Sequence, residues 1–371
     1  AKTQGVSLLC FPELSITGYG CEDMFYAPGL TATAAEMLLR IAEASRGIMV
    51  SVGLPIRYNH RLYNASCFIS DGEIQGFVCK KNLPGNSIYY EPRWFHAWET
   101  GVTANIEIEG RDYPAGDLLF EVQGIRVGYE ICEDAWIAHR PGRELYLRGV
   151  DIILNPSASH FEFGKSFVRE RFVMDASRAF GCTYLYVNLL GNESGRAVFD
   201  GDAVITSCAP RVACGSHLSY KDFLLVSAVI DVDNTRLSQI QNRVPLIRND
   251  FGVVKVPFAW AKADYAPTTY AMEAWETSGR IKEEEFSRCI ALALFDYLRK
   301  SRSNGWVISL SGGADSSAIA CLCRLAIKLC IEEIGLDGFK KKLFYQKAVQ
   351  ACQTEEEIAK VLITCVYQAT E

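Results

Sequence analysis

The stretch Val127-Gly128-Tyr129-Glu130-Ile131-Cys132-Glu133-Asp134-Ala135-Trp136 decides how the rest of the chain is read. Ile125, Val127, Tyr129 and Ile131 alternate with Arg126, Gly128 and Glu130, the period-two pattern of a strand with one buried face. Cys132 stands where that strand should end, with two carboxylates behind it. A free cysteine is most often a small buried hydrophobe. One held rigidly at a strand end can also be presented to a cleft as a nucleophile. What the neighbouring strands bring to the same edge decides between the two.

Upstream, residues 118–122 pair with 125–131 as a hairpin. Residues 6–11 are almost continuously apolar, as in a buried strand, and Pro12 ends them before Glu13 and the loop Ser15-Ile16-Thr17-Gly18-Tyr19-Gly20. Residues 32–46 are helical and 48–56 a strand. Residues 62–70 and 73–79 flank Asp71-Gly72, a strong hairpin signal, and the second arm runs out at Lys80-Lys81-Asn82-Leu83-Pro84. An aromatic-rich loop, 86–98, carries Glu91. Downstream, 143–148 and 167–180 are helical. Strands are expected at 151–154, which runs into Asn155-Pro156-Ser157-Ala158-Ser159, and at 183–189, 198–206 and 224–231. Interleaved strands, helices and hairpins imply an α/β layered sandwich with a mixed sheet.

Composition narrows the function. The 371 residues, 49% of them apolar, suffice for two domains with separate cores. A net charge of −6 without a long basic run argues against nucleic acid, and no stretch has the length of a membrane span. No charged-then-apolar leader is seen. The 14 cysteines are scattered, and Cys321 and Cys323 lie on a predicted helix without a second pair at zinc-finger spacing. Reduced thiols in a cytoplasmic protein are expected. The start at Ala1-Lys2-Thr3-Gln4-Gly5 reads as the tail of a helix, and the end at Tyr367-Gln368-Ala369-Thr370-Glu371 as a helical pattern without a stop signal, so a fragment is expected.

Glu13, Lys80, Cys132 and Ser159 all fall just beyond the C-terminal ends of predicted strands, the edge where ligands collect in open α/β sheets. Singly, a glutamate after a proline is usually solvated and a lysine after a hairpin usually blunts a sheet edge. Together an acid, a cation and a thiol suit amide hydrolysis. The carboxylate can take the thiol proton and later activate water, and the ammonium and a backbone N–H can hold the oxyanion.

Phe11-Pro12-Glu13-Leu14 with Gly18-Tyr19, Lys80-x-x-Leu83-Pro84, and Tyr129-Glu130-Ile131-Cys132-Glu133-Asp134 resemble the three signature blocks of the carbon–nitrogen hydrolase (nitrilase) superfamily. The resemblance covers about residues 1–255 and implies an αββα sandwich whose first strand would precede Ala1. It places a catalytic triad on Glu13, Lys80 and Cys132, with Lys80 rather than Lys81 because of its spacing to Leu83-Pro84. Glu91 resembles the supporting second glutamate.

Residues 258–281, with Pro267, Thr268, Thr269 and Gly279, have little periodicity and read as a linker. Phe286, Ile290, Ala293, Leu294, Tyr297 and Leu298 then form a helical stripe. A strand at 306–310 runs into Ser311-Gly312-Gly313-Ala314-Asp315-Ser316-Ser317 and a helix at 318–334. Strand, glycine-rich turn and helix N-terminus form an anion cradle. It is not a Walker loop, for Gly-Lys-Ser/Thr is missing. A lysine run, Lys340-Lys341-Lys342, reads as a solvated face, two further helices follow, and Thr354 with Glu357 makes a capping box.

The loop resembles the SGGxDS signature of the N-type ATP pyrophosphatases, which implies ATP held by Ser309, Leu310, Ser311, Gly312, Gly313, Ala314, Asp315 and Ser316, with magnesium on Asp315. The expected domains are therefore 1–257, a linker at 258–282, and 283–371 as the start of a Rossmann-like pyrophosphatase domain. In this order they resemble the family of glutamine-dependent NAD synthetases, whose synthetase half continues past position 371. That resemblance implies glutamine, ATP and deamido-NAD as substrates and NAD as product. It also implies Tyr19, Glu91, Glu133, Ser159 and Lys165 around the glutamine, and a homo-oligomer. A stand-alone amidase with a regulatory ATP module, and an interaction protein with degenerate sites, are the competing readings.

Overall fold

The computed structural model describes residues 1–86, 88–208, 210–242, 247, 250–264 and 272–367. Six strands form the first sheet: β1 (Leu8–Cys10), β2 (Met49–Tyr58), β3 (Arg61–Ser70), β4 (Glu73–Cys79), β5 (Thr103–Ile108) and β6 (Arg111–Gly116), in the order β1-β2-β3-β4-β6-β5. β2 and β3 are buried on both faces, which is why their sequences run apolar instead of alternating. Asp71 and Gly72 both have positive φ, as the two-residue turn between β3 and β4 requires. The hairpin β5–β6 escapes the sequence reading because polar residues dilute its pattern; Glu109 and Gly110 turn it in the same left-handed way.

β7 (Leu119–Val122), β8 (Ile125–Tyr129), β9 (Ile152–Ser157) and β10 (Thr183–Asn188) begin the second sheet. β11 (Leu190–Glu193) and β12 (Ala197–Asp200) pair apart from it, and β13 (Ala203–Ser207), β14 (Arg211–Cys214) and β15 (Val253–Val256) complete it as β14-β13-β10-β9-β8-β7-β15. The strand expected at 198–206 is broken at Gly201 and Asp202, both left-handed, so its halves join different sheets. Residues 224–231 do not form the expected strand. Residues 224–230 are half-buried, Ile230 packs on the core between the sheets, and the exposed Asp231 caps the next helix through the N–H groups of Asp233 and Asn234.

Helices cover both outer faces. α1 (Pro28–Ala44) lies on the first sheet, where Leu38 packs with Val50, Cys67 and Phe77, and the short α2 (Glu91–Trp94) sits at its edge. α3 (Gly142–Leu147) and α4 (Lys165–Phe180) cover the second sheet through Leu145, Val173 and Ala176. α5 (Val232–Gln241) follows it. Met49, Phe68 and Val78 meet Phe120, Val127, Tyr129 and Leu154 between the sheets. The layers are α, β, β and α, as expected.

Beyond Val256, within the expected linker, Ala274–Thr277 form a turn of 3-10 helix; Pro267, Thr268 and Thr269 lie outside the described residues. α6 (Ile281–Lys300), β16 (Trp306–Ser309), α7 (Ala314–Lys342), α8 (Lys347–Ala351) and α9 (Glu355–Leu362) follow, with β17 (Ile363–Val366) parallel to β16. Gly335, at φ 74°, breaks α7 where its first segment ends. β17 is a strand that the sequence reading did not anticipate: Ile363 to Val366 pair with Trp306 to Ser309, far away in the chain. Of the helical end expected at 367–371, Tyr367 is outside any helix. Gln368 to Glu371 lie outside the described residues. The two halves share a core in which Leu218 and Tyr220 pack with Leu292, Phe295 and Ile327. Among the described residues no helix is long and apolar enough to cross a membrane.

Candidate active site

The C-terminal ends of β1, β4, β8 and β9 bring Glu13, Lys80, Cys132 and Ser159 to one edge of the sandwich, all nearly inaccessible to solvent. Pro12 ends β1, and the chain turns at Leu14, whose φ is 49°. That turn lies against Gly53 of β2 so closely that a Cβ there would stand 2.2 Å from the Leu14 nitrogen, which makes glycine obligatory. Lys80 Nζ donates to Glu13 Oε1 at 2.6 Å and to Glu91 Oε1 at 2.7 Å. Tyr19 Oη donates to the same Glu91 oxygen at 2.6 Å, and Asn64 Nδ2 to Glu13 Oε1 at 2.7 Å. The remaining oxygens, Glu13 Oε2 and Glu91 Oε2, are buried and have no partner among the described residues.

Cys132 opens a short 3-10 turn with φ 46°, a left-handed elbow that turns its side chain off the end of β8. Asp134 fastens this elbow to the segment after β4. One carboxylate oxygen accepts from Ile131 N at 3.0 Å; the other accepts from Lys81 N, Asn82 N and Asn82 Nδ2 at 3.2, 2.9 and 2.8 Å. Lys80 and Cys132 are thus held together by a third residue that touches neither side chain. Burial lifts Asp134 to about 6 against these donors.

The electrostatics set the resting protonation. Burial opposes the Lys80 charge, but Glu13 and Glu91 outweigh it and hold the ammonium well above its ordinary range. Burial, aided by Glu13 and opposed by Lys80, lifts Glu91 to about 7. Burial and then the Glu13 charge push the Cys132 thiol far up, against the pull of Lys80. The resting group is therefore a thiol, not a preformed thiolate, beside an ion pair. Such a site can act on an amide only if the proton leaves as the sulfur attacks, and Glu13 Oε2 is the open acceptor.

The other expected residues lie around this cluster. Tyr19 meets Tyr89 and Phe199 edge-on at 6.2 and 5.9 Å. Glu133 is half-buried, and burial raises it while Lys80 draws it down. Asn188 clamps the Ser159 backbone with two hydrogen bonds of 2.8 Å. Lys165 opens α4, 3.5 Å from Glu162; burial lowers it, and Glu162 and the Cys132 site pull the other way. Lys81 points elsewhere, to Asp117 at 2.7 Å.

The glycine-rich loop is built differently. Gly312 is left-handed, Gly313 caps α7, and Ser311 to Asp315 are exposed. Ser311 Oγ lies 3.3 Å from Ser316 Oγ, and Ser317 Oγ donates to Gly313 O at 2.9 Å. The N–H groups of the first turn of α7 face outward beside these hydroxyls, an arrangement suited to an anion.

Residues 1–240 match the carbon–nitrogen hydrolase family along most of the chain. The chain belongs to that family. As a carbon–nitrogen hydrolase it carries a second match, to NAD synthase, at residues 287–370. It is 31% identical to a glutamine-dependent NAD(+) synthetase of Oryza sativa subsp. indica over its whole length and 53% of the relative. A solved structure of a glutamine-dependent NAD(+) synthetase from Cytophaga hutchinsonii superposes with a TM-score of 0.78 at 37% identity, covering all of this chain and 55% of that one. The Acinetobacter baumannii enzyme, solved in complex with ADP, shares the fold at 20% identity, TM-score 0.64, across 99% of this chain and 59% of that one. The carbon–nitrogen hydrolase chain described here spans about half the length of the curated relatives it matches.

Several residues of the carbon–nitrogen hydrolase site are missed by sequence reasoning. Tyr89 Oη touches His160 Nδ1 at 2.7 Å, and His160 Nε2 reaches Glu162 at 2.6 Å, so a polar relay runs from the Lys165 side toward Tyr19. Asn64, Asp134 and Asn188 are buried amides or acids within strands and turns. A buried polar residue without a partner in its own segment was the available signal.

Proposed function

We propose that the chain uses its first 257 residues as a glutaminase and residues 283–371 as part of an ATP-dependent synthetase, joined through 258–282, in a cytoplasmic homo-oligomer. The observation that carries the first half is the buried Glu13–Lys80–Glu91 cluster beside the Cys132 elbow. Cys132 Sγ attacks the side-chain amide of glutamine while Glu13 takes the thiol proton. Lys80 faces the developing oxyanion. The C–N bond breaks, Glu13 returns the proton to the departing nitrogen, and ammonia leaves a thioester. Glu13 then draws a proton from water, whose oxygen attacks the thioester; the C–S bond breaks, Glu13 passes the proton to sulfur, and glutamate and the thiol are freed. Tyr19, Glu91, Glu133, Ser159 and Lys165 line the glutamine site, with Lys165 and Glu133 offering opposite charges to the two ends of an amino acid.

In the second half, Ser309 to Ser316 cradle the phosphates of ATP; the carboxylate of deamido-NAD attacks the α-phosphorus and releases pyrophosphate, and the ammonia then displaces AMP from that adenylate to give NAD. The NAD synthase match and the likeness to glutamine-dependent NAD(+) synthetases support this. The residues present fit magnesium as a companion of phosphate. Asp315 is a single exposed carboxylate in a loop of donors, and no group of three or more His, Cys, Asp or Glu side chains among the described residues could hold a metal alone. Asp315 would hold magnesium, which supplies charge neutralisation of the phosphates when bound. The fourteen cysteines are all unpaired, which agrees with a reducing compartment.

The test is Cys132→Ala, with glutamate release from glutamine measured directly. Release falls to background if Cys132 forms the thioester. Release at the parent rate would make the nucleophile assignment wrong.

A further inference from the structure

We propose that Asn64 is the positioning residue of the general base: its amide pins one oxygen of Glu13 so that the other is left to move the proton. The inference rests on the reading of Glu13 as the base of an amide hydrolase. Asn64 lies in β3 directly across from Lys80, since Lys80 N donates to Asn64 O at 2.9 Å and the pairing Ala65 with Cys79 precedes it. Side by side, the two side chains converge on the same atom: Asn64 Nδ2 at 2.7 Å and Lys80 Nζ at 2.6 Å from Glu13 Oε1.

Lys80 by itself is a poor restraint on Glu13, because its ammonium is shared with Glu91 at 2.7 Å. A carboxylate bonded only there could rotate and present either oxygen to the thiol. With two donors on Oε1, rotation would cost a charge-assisted hydrogen bond. Glu13 Oε2 is buried without a partner among the described residues, and Asn64 Oδ1 is likewise without one, so the polar capacity of this corner is unspent on the side away from the pin. The charged and titratable groups that face Glu13 among the described residues are Lys80 at the end of β4, Glu91 on α2, Tyr89 just before α2, Cys132 and Glu133 on the elbow, and Tyr19 on its own loop. Among these Lys80 is the cation. Asn64 adds a second donor to the Glu13 carboxylate without adding a charge.

The test compares kcat and KM for glutamine across pH in the parent, Asn64→Leu and Asn64→Asp. Asn64→Leu keeps the volume and loses the donor. Its kcat falls about 10- to 100-fold with KM little changed, a part of what a general base contributes, and the shape of its pH profile changes. Asn64→Asp is impaired at neutral pH, where a second carboxylate faces Glu13, and recovers in part as pH falls and its carboxyl donates again. A merely structural Asn64 would move neither limb. Parent-like kcat and pH limbs in a folded Asn64→Leu, or, should that variant fail to fold, an Asn64→Asp that shows no recovery at low pH, would overturn the proposal. Alkylation of Cys132 by iodoacetamide, followed by peptide mass, gives the same profile without glutamine. A parent that is alkylated at Cys132 but does not hydrolyse glutamine refutes the substrate and leaves the Asn64 comparison decisive.

Discussion

Two strand ends in this molecule face ligands in opposite ways. Around Cys132 the charged groups are withdrawn from water and already engaged with one another: Glu13, Lys80 and Glu91 are each 1% exposed. Around Gly312 and Gly313 the donors stand in solvent and touch mainly their own loop. The difference follows from the ligand each could serve. A neutral amide brings no charge, so the protein must store charge in a low-dielectric pocket, where it acts strongly on a developing oxyanion. A polyphosphate brings its own charge and metal, so open N–H groups and hydroxyls suffice, and burial before binding would only cost desolvation.

The widest break in that comparison comes from removing the buried cation. Lys80→Met leaves Glu13 and Glu91 without their shared partner and takes a donor from the oxyanion. Glutamate release is expected to fall about 10²–10³-fold. Lys81→Met is the control, since its ammonium pairs with Asp117, and its loss should be small. A larger loss from Lys81 than from Lys80 would reverse the assignment.

On the exposed side the effect should be smaller and depend on the metal. Asp315→Asn keeps the shape of the loop and removes its charge. Titrated calorimetrically, MgATP should bind about tenfold more weakly, or about 1.4 kcal/mol, while ATP without magnesium should be little affected. Equal MgATP affinity in parent and variant would remove Asp315 from the metal site and leave it as the first-turn acid of α7.

The smallest effect sharpens the account of burial. Burial, and after it the nearby Glu13, lifts Glu91 from its ordinary 4.5 to about 7 against the pull of Lys80. Between those values this one group binds more protons in the folded chain than in the unfolded one, so its contribution to stability is full below 4.5 and is lost as pH rises through 7. Urea unfolding at a series of pH values should show this slope in the parent, and Glu91→Gln should flatten it. An unchanged slope in the variant would mean that another group holds the proton.

The sequence by itself determined a good deal. Apolar runs, the Asp71-Gly72 turn and the three motifs located β1 to β4, β8 and the residues Glu13, Lys80 and Cys132, because strand period, turn chemistry and strand-end position are local properties. Where partners come from far along the chain, local pattern failed: 224–231 reads as a strand but stays unpaired, and 363–366, not read as a strand, pairs with β16. Asn64 shows the reason most clearly. Counted straight back from the turn pairing Ser70 with Glu73, Tyr63 would stand across from Lys80. A bulge between Phe68 and Ile69 shifts the register by one residue and puts Asn64 there instead. One residue of register exchanges the two faces of a strand. The sequence therefore named the acid, the cation and the thiol, while only the tertiary structure decided which oxygen of Glu13 is pinned and which is free.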